Sequence, residues 1–432
     1  MKTYIIALFC TLSFGASAQK ALTLQECIDI ALQNNRNIKQ QELTRQSREI
    51  AYAQARADLL PTVNGQVGQN FSFGRSLSVD NTYQSTNSSQ TSFGVGANVT
   101  LFDGMRMKHN IDARRFDMQA SEADLAKIED DIVMSVSTAF LQALMNKELL
   151  RIAEEQVKLT DANIERRKAL IQNGKMAQGE LYELEAQAAK EELNRVQAEN
   201  NLKLSLLDLA QIMDMPHYEE MDVVAPPNLV MDESPLLSAN AVYESALLAR
   251  PEIQAAQFRL QSSEKEVKMA ESGYYPTLSF GANMGSGYYN MSGRTNDPFS
   301  TQLKNNLSQG LGFTLSIPIF NKFQVKNSVK NAEIALENTR IEIDKTKLEL
   351  RKRIETAYYN ALAAQSRWKA ADKAIKANEE AFRFAEQKYE NGRATSYELF
   401  QAKNNLTQAL SEETQSKYEY AFRLKILELL KN

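Results

Sequence analysis

Few side chains in this chain are grouped as reactive chemistry requires. Its 432 residues include two histidines, His109 and His217, and two cysteines, Cys10 and Cys27. A structural or catalytic zinc needs several nitrogen or sulfur ligands together, and an activated nucleophile needs a base within reach. Neither grouping occurs, and no P-loop is present. Gly281, Gly285 and Gly287 have the wrong spacing for a dinucleotide fingerprint and lie in a strand-like run. An enzyme using a pair of carboxylates is a weak reading, because the acids are spread over helix faces with no α/β pocket pattern. The expectation is a protein that is not an enzyme, with no catalytic residue, no metal and no cofactor. Two acids still draw notice by position. Glu180 and Glu398 are 218 residues apart (398 − 180), and each falls in the first turn of a helix. The positive end of the helix macrodipole stabilises a carboxylate there.

What must position them is a pair of long helices. Asn321 to Glu390 contains no Gly or Pro, and such breakers cost roughly 1 to 3 kcal/mol inside a helix. A single helix of that length would measure about 100 Å. A seam runs Leu350, Ile354, Ala357, Ala361, Ala364, Trp368, Ala371, Ile375, Asn378, Phe382, Ala385, Tyr389. Its steps of four and three are the heptad spacing of packed helices. Subtracting 218 gives Ile132, Val136, Ala139, Ala143, Asn146, Leu150, Ala153, Val157, Thr160, Ile164, Arg167, Ile171. Asn146 and Arg167 are the misfits. Met105 to Asn173 likewise lacks Gly and Pro, so the chain is a duplication. Each long helix stops at Asn-Gly, at Asn173-Gly174-Lys175 and Asn391-Gly392-Arg393. Glycine takes the left-handed conformation that ends a helix at low cost. A returning helix follows each turn, over residues 180–213 and 395–430.

Residues 1–18 read as a secretory signal, with Lys2, an apolar run and Ala16-Ser17-Ala18 before Gln19. Because Gln19 is not Cys, no N-terminal lipid is expected. Cys27 then remains alone, so packing must supply stability. The chain carries 50 Lys and Arg against 54 Asp and Glu, a net charge of −4 that excludes a nucleic-acid partner. After the signal, no apolar run approaches the roughly 20 residues of a membrane helix. If the chain spans a membrane, strands must do so.

Thr23 to Asp58 is helical in character, with a capping-box spacing from Thr23 to Glu26. Ser238 to Ser272 is its counterpart. Each is followed by a change of period. Phe93, Val95, Ala97, Val99 and Leu101 alternate with Gly94, Gly96, Asn98 and Thr100. Leu311, Phe313, Leu315, Ile317 and Ile319 alternate with Gly312, Thr314, Ser316 and Pro318. Earlier alternating runs pass through Val63, Val67, Phe71 and Phe73, and through Leu278, Phe280, Ala282, Met284 and Tyr288. Two-faced segments of about ten residues are the signature of transmembrane barrel strands, and equally of a soluble hairpin with one buried face. The loops over 75–90 and 290–309 are rich in Ser, Asn and Thr, as solvent-facing loops are. Four strands per chain cannot close a barrel, and open edges are not tolerated in lipid. Three copies would give twelve strands.

KYENGRATSYELFQAKNNL, from Lys388 to Leu406, and NGKMAQGELYELEAQ, from Asn173 to Gln187, resemble the turn signatures of the outer membrane efflux protein family, the TolC-like channels. The resemblance covers essentially the whole chain after the signal. It implies a mainly α fold with a transmembrane β-barrel segment: a duplicated helix–hairpin–helix chain, trimeric, with a twelve-stranded barrel and an α-helical periplasmic tunnel. It implies a passive exit duct of a tripartite efflux pump or type I secretion system, in the outer membrane and extending into the periplasm. The implied partners are two further copies, outer-membrane lipid, a periplasmic adaptor protein and an inner-membrane transporter of the RND or ABC class. The family has a carboxylate six residues after each turn Gly, which is Glu180 and Glu398 here, and these would ring the tunnel constriction. Tyr389 matches a gate tyrosine, and Gln401 stands where the second repeat has another acid. Acidic rings favour cations. The turns Asn173, Gly174, Lys175, Asn391, Gly392 and Arg393 would meet the adaptor. Phe93, Val95, Val99, Leu101, Leu311, Phe313, Leu315 and Ile317 would face lipid.

The expected divisions are the signal 1–18, a first repeat 19–215, a linker 216–237 and a second repeat 238–432. Within the repeats lie hairpins 62–103 and 277–320 and long helices 105–172 and 321–390. A periplasmic coiled-coil scaffold with soluble hairpins and a stand-alone porin remain as rival readings. A scaffold would stay monodisperse without detergent.

Overall fold

The computed structural model describes residues 20–77, 81–85, 87–173, 178–216, 221–225, 236–292 and 295–431. The expected signal, Gly174, Lys175 and most of the linker lie outside them. In chain order the elements are β1 (Lys20–Leu22), α1 (Leu24–Asn34), α2 (Arg36–Ala57), β2 (Thr62–Ser72), β3 (Arg75–Leu77), β4 (Tyr83–Ser85), β5 (Ser88–Phe102), α3 (Arg106–Gln172) and α4 (Gly179–Ile212). The second half continues with β6 (Met221–Val223), α5 (Ala239–Ala249), α6 (Pro251–Glu271), β7 (Thr277–Met291), α7 (Phe299–Asn305), β8 (Ser308–Ser316), α8 (Gln324–Glu390) and α9 (Ser396–Lys431). The chain forms two compact units. One gathers the chain up to Glu42, Leu125–Pro251 and the chain from Lys347; the other holds Leu43–Asp124 and Glu252–Thr346.

The first unit is helical. Thr23 caps α1 by accepting from the Glu26 N–H, and the Glu26 carboxylate accepts from the Thr23 N–H at 2.8 Å. Two donors of the helix start are thereby satisfied. The segment expected as one helix breaks at Asn35, whose side chain donates to the Ile212 carbonyl at 2.9 Å and accepts from the Asn37 N–H at 2.8 Å. Its counterpart breaks between α5 and α6 at Arg250. The following Pro251 disfavours helical geometry at Arg250, which adopts φ −67°, ψ 127°. Arg250 is 1% exposed and reaches Asp130 at 3.0 Å and the Leu429 carbonyl at 3.1 Å. The core joins Leu22, Cys27 and Ala31 to Val136, Phe140 and Ala143 of α3, Leu209 of α4 and Tyr418 of α9. Part of the expected irregular linker is ordered into this core. β6 pairs in parallel with β1, and Met221 and Val223 are buried.

The seams account for the helical packing. Leu350, Ile354, Ala357, Ala361 and Ala364 are buried, as are Val136, Ala143, Thr160 and Ile164, and the remaining seam positions are buried or half-buried. The misfit Asn146 is buried because its amide donates to the Asn201 carbonyl on α4 at 3.2 Å.

The second unit contains a four-stranded antiparallel sheet in the order β2-β5-β7-β8. The register sorts its residues cleanly. Val63, Ala97, Ala282 and Leu311 lie in one row, and Val99, Phe280 and Phe313 in the next. The opposite face carries Asn64, Gln66, Asn98, Ser279, Asn283, Ser308 and Thr314, which line a hollow of about 770 Å³. Val63, Val67, Leu311 and Phe313 are 66 to 79% exposed, so the apolar face has no covering layer over these positions. Among the described residues neither β2 nor β8 has a strand on its outer side.

Two hairpin expectations need correction. The second strand run ends at Ser316 rather than reaching 320, because Pro318 has no N–H for the ladder. Ile317 therefore lies past the strand. The β5–β7 register shifts between Thr100 and Phe102, so Phe102 pairs with Leu278 and Leu101 is the extra, unpaired residue of a bulge. The 75–90 loop also carries the small β3–β4 ribbon, and the 290–309 loop carries α7.

Both repeats turn from sheet to long helix through two consecutive left-handed residues, Gly104 and Met105 in one and Lys322 and Phe323 in the other. This turn delays α8 to Gln324. At Gly104 (φ 67°) a Cβ would sit 2.7 Å from the Ser272 carbonyl oxygen.

Candidate gate at the helix turns

α8 ends in a Schellman turn. The Arg393 N–H donates to the Lys388 carbonyl at 2.8 Å and the Gly392 N–H to the Tyr389 carbonyl at 2.9 Å, with Gly392 at φ 69°. The Asn391 side chain donates to the Gln387 carbonyl at 2.7 Å, and Asn173 does the same to Ala169 at 2.7 Å. Each turn Asn thus closes off its own helix. Asn391, Gly392 and Arg393 are exposed.

The two expected gate acids have different surroundings. Thr395 caps α9, and Glu398 completes the box: its carboxylate accepts from the Thr395 N–H at 2.8 Å, and its own N–H donates to Thr395 Oγ1 at 3.3 Å. The sequence has Ala177 at the position matching Thr395 (395 − 218), without a hydroxyl to cap. Glu180 instead turns to the other long helices. Its Oε2 accepts from Arg167 Nη1 at 2.9 Å and from Tyr389 Oη at 2.8 Å. The Arg167 guanidinium also lies 4.9 Å from the centre of the Tyr389 ring. The geometry makes a clasp of α3, α4 and α8 around one carboxylate oxygen. Burial, with the Glu180 hydrogen bond, pushes the Tyr389 phenol above its usual value, so it keeps the proton it donates. Arg167, a misfit in the seam, is 8% exposed at its side chain and partners Glu180. Gln401 is exposed and donates to Asn405 at 3.1 Å, separate from the clasp.

Sequence reasoning missed a second polar node. Lys403 of α9 donates to Thr160 Oγ1 of α3 at 2.6 Å and to Glu191 Oε1 of α4 at 3.1 Å. Thr160 in turn donates to Glu191. All three are 9% exposed or less. The signal available was Thr160 at a seam position, where a buried hydroxyl requires a polar partner.

On the sheet, Val95, Leu101, Leu311, Phe313 and Leu315 are exposed, whereas Val99 is half-buried. Phe93 is half-buried and meets the Phe299 ring edge-on at 6.3 Å. Among the described residues no cluster of His, Cys, Asp and Glu could hold a metal, and no helix is long and apolar enough to cross a membrane.

The chain matches the family model described as outer membrane efflux protein over residues 27–214 and 242–430. It is 25% identical over 403 residues to the pyoverdine export outer membrane protein OpmQ of Pseudomonas putida, covering 90% of this chain and 81% of that one. It is 21% identical over 421 residues to the outer membrane protein TolC of Escherichia coli, covering 95% and 82%. Its fold is similar to the CmeC outer membrane channel of Campylobacter jejuni, with a TM-score of 0.79 at 17% identity over 94% of this chain and 85% of that one. With both halves matched, the chain belongs to the outer membrane efflux protein family and is a channel protein of the outer membrane.

Proposed function

We propose that three copies of this chain form the exit duct of a tripartite efflux pump or type I secretion system. The observation that carries this is the four-stranded sheet, with an uncovered apolar face, a concave polar face and an open strand at each edge. Unpaired backbone groups cost several kcal/mol each in hydrocarbon. β8 of one copy must therefore pair with β2 of the next, and three copies give a twelve-stranded wall with the polar faces inward. An eight-stranded wall would be filled by side chains. The periplasmic adaptor meets the exposed Asn391-Gly392-Arg393 turn and its partner around Asn173, Gly174 and Lys175. Cargo selection belongs to the inner-membrane transporter, of the RND or ABC class.

Glu180, Arg167 and Tyr389 form a latch of the closed tunnel end. Glu398 and Gln401, both exposed, contribute the polar lining beside it. Sedimentation in detergent tests the assembly, and the expected particle contains three chains. A single-chain particle that is monodisperse without detergent would end this reading. Planar-bilayer recordings test the lining: replacing Glu180 and Glu398 together by Ala should lower cation preference, and unchanged ion selectivity would remove the assignment.

A further inference from the structure

β7 outruns its neighbour. β8 begins at Ser308, opposite Gly285, so residues 286–291 of β7 have no strand beside them on that side among the described residues. Most of the backbone groups they turn that way are nevertheless satisfied. Gln302 of α7 accepts from the Tyr289 N–H and donates to the Tyr289 carbonyl, both at 2.9 Å. Asn296 does the same for Met291, both at 3.0 Å. Asn306 donates to the Gly287 carbonyl at 2.7 Å. Three side-chain amides thus imitate the missing strand and seal an edge that would otherwise invite pairing.

The seal also fixes where α7 lies. Ser286, Tyr288 and Phe93 belong to the apolar face by register. Ser286 donates to the Leu303 carbonyl at 2.6 Å, and the Phe299 ring meets Tyr288 at 5.3 Å and Phe93 at 6.3 Å, edge-on to both. The short helix therefore rests across the apolar face, at a particular height. Below it that face reads Val95, Ala97, Val99 on β5 and Leu278, Phe280, Ala282, Met284 on β7. At its level the rows are mixed, Val67, Phe93 and Ser286 in one and Gln69, Thr91 and Tyr288 in the next. The apolar rows from Leu278 to Ser286 climb about 27 Å along the strand. Tilted as barrel strands are, that is about 20 Å of height, close to the roughly 25 Å apolar band of such walls. α7 sits at the upper border of the band. There Phe299 keeps 49% of its surface exposed, Leu307 keeps 53%, and Lys304 is exposed.

We propose that the segment from Pro298 to Leu307 is an interfacial anchor. Its aromatic and aliphatic side chains enter the headgroup–acyl boundary of the outer leaflet, and Lys304 faces the anionic headgroups. The occupant is lipid, because Phe299 joins the patch to the apolar band through Phe93 and Tyr288 and Lys304 adds a positive charge beside it. Aromatic and basic residues at that depth are favoured for the same reason that girdles form. The inference rests on the sheet being a membrane wall, and the test separates the two. The native chain has one tryptophan, Trp368, whose emission is the baseline. Phe299→Trp and, independently, Leu307→Trp report on the anchor; Leu311→Trp reports on the middle of the wall. Each trimer is reconstituted in phosphatidylcholine–phosphatidylglycerol vesicles carrying bromines either near the headgroup or near the bilayer centre. The anchor reporters should lose most of their added emission to the shallow bromines, and Leu311→Trp to the deep ones. Quenching of Leu311→Trp with neither anchor reporter quenched overturns the anchor and leaves the wall standing. If none of the three is quenched, the wall reading fails and the anchor fails with it.

Discussion

Glu180→Gln isolates the clasp at the turns, because it keeps the shape of the side chain and removes its charge. In the native chain one oxygen, Oε2, accepts from Arg167 at 2.9 Å and from Tyr389 at 2.8 Å. Hydrogen bonds to charged groups contribute about 1.5–3 kcal/mol and neutral ones about 0.5–1.5, so the substitution removes about 2–3 kcal/mol from the pair. The Glu180 side chain is 36% exposed, and solvent screening reduces that to about 1–1.5 kcal/mol. If opening breaks all three clasps of a trimer together, the closed state loses about 3–4.5 kcal/mol, a shift of roughly two to three orders of magnitude in the open population. The assay is single-channel recording in planar bilayers, counting the time spent in the high-conductance level. Glu398→Gln is the matched control. Its carboxylate serves the Thr395 cap, so the expected effect is about 1 kcal/mol of helix stability without a change in open time. Equal open times for Glu180→Gln and the native channel, in a trimer of normal melting temperature, would refute the reasoning.

Lys403→Met leaves Glu191 buried without its counter-ion, and breaking such a pair costs about 3–5 kcal/mol. Thermal melting should show the loss, and adding Glu191→Leu should restore much of it. Gly104→Ala places a Cβ against the Ser272 carbonyl in a left-handed backbone, so its yield of assembled trimer should fall. A Met105→Gly change should not lower that yield. Burial pushes the Cys27 thiol up to about 12 from 9.0. The folded state therefore holds this proton where the unfolded state has lost it, and the resulting stability is complete below pH 9 and disappears as pH rises towards 12. The native protein should resist thiol alkylation at pH 8.5 and react only on unfolding.

The helical half of the fold is legible because packing writes a period into the sequence. Val136, Ala143, Leu350, Ile354 and Ala361 are buried where the four-and-three spacing places them, since a seam cannot tolerate solvent-loving side chains without partners. Asn146 and Arg167 broke that rule, and the partners that excuse them, Asn201 and Glu180, come from α4. Sequence periodicity along one helix carries no record of what lies across from it. The same limit hid the Lys403 node. The break at Arg250 had a local signal in Pro251, whereas the break at Asn35 has only a side chain reaching the distant Ile212 carbonyl. In the sheet, alternation gave the faces, but the bulge at Leu101 and the early end at Ser316 depend on register and on a proline two residues on. The Thr395–Glu398 cap went unread in the sequence, and it underlies the different fates of the two acids. The role of α7 was not readable, because amides that stand in for a strand leave no pattern.

Fusing two copies into one chain has a consequence for the palisade that three such chains build. Six identical half-chains would be obliged to end every stave in the same knot. With two staves per chain, the copies have drifted apart: one acid buttons its neighbour's phenol while its twin merely trims its own helix. Alternate staves can then answer to different forces, so a pull delivered to one kind need not unfasten the other.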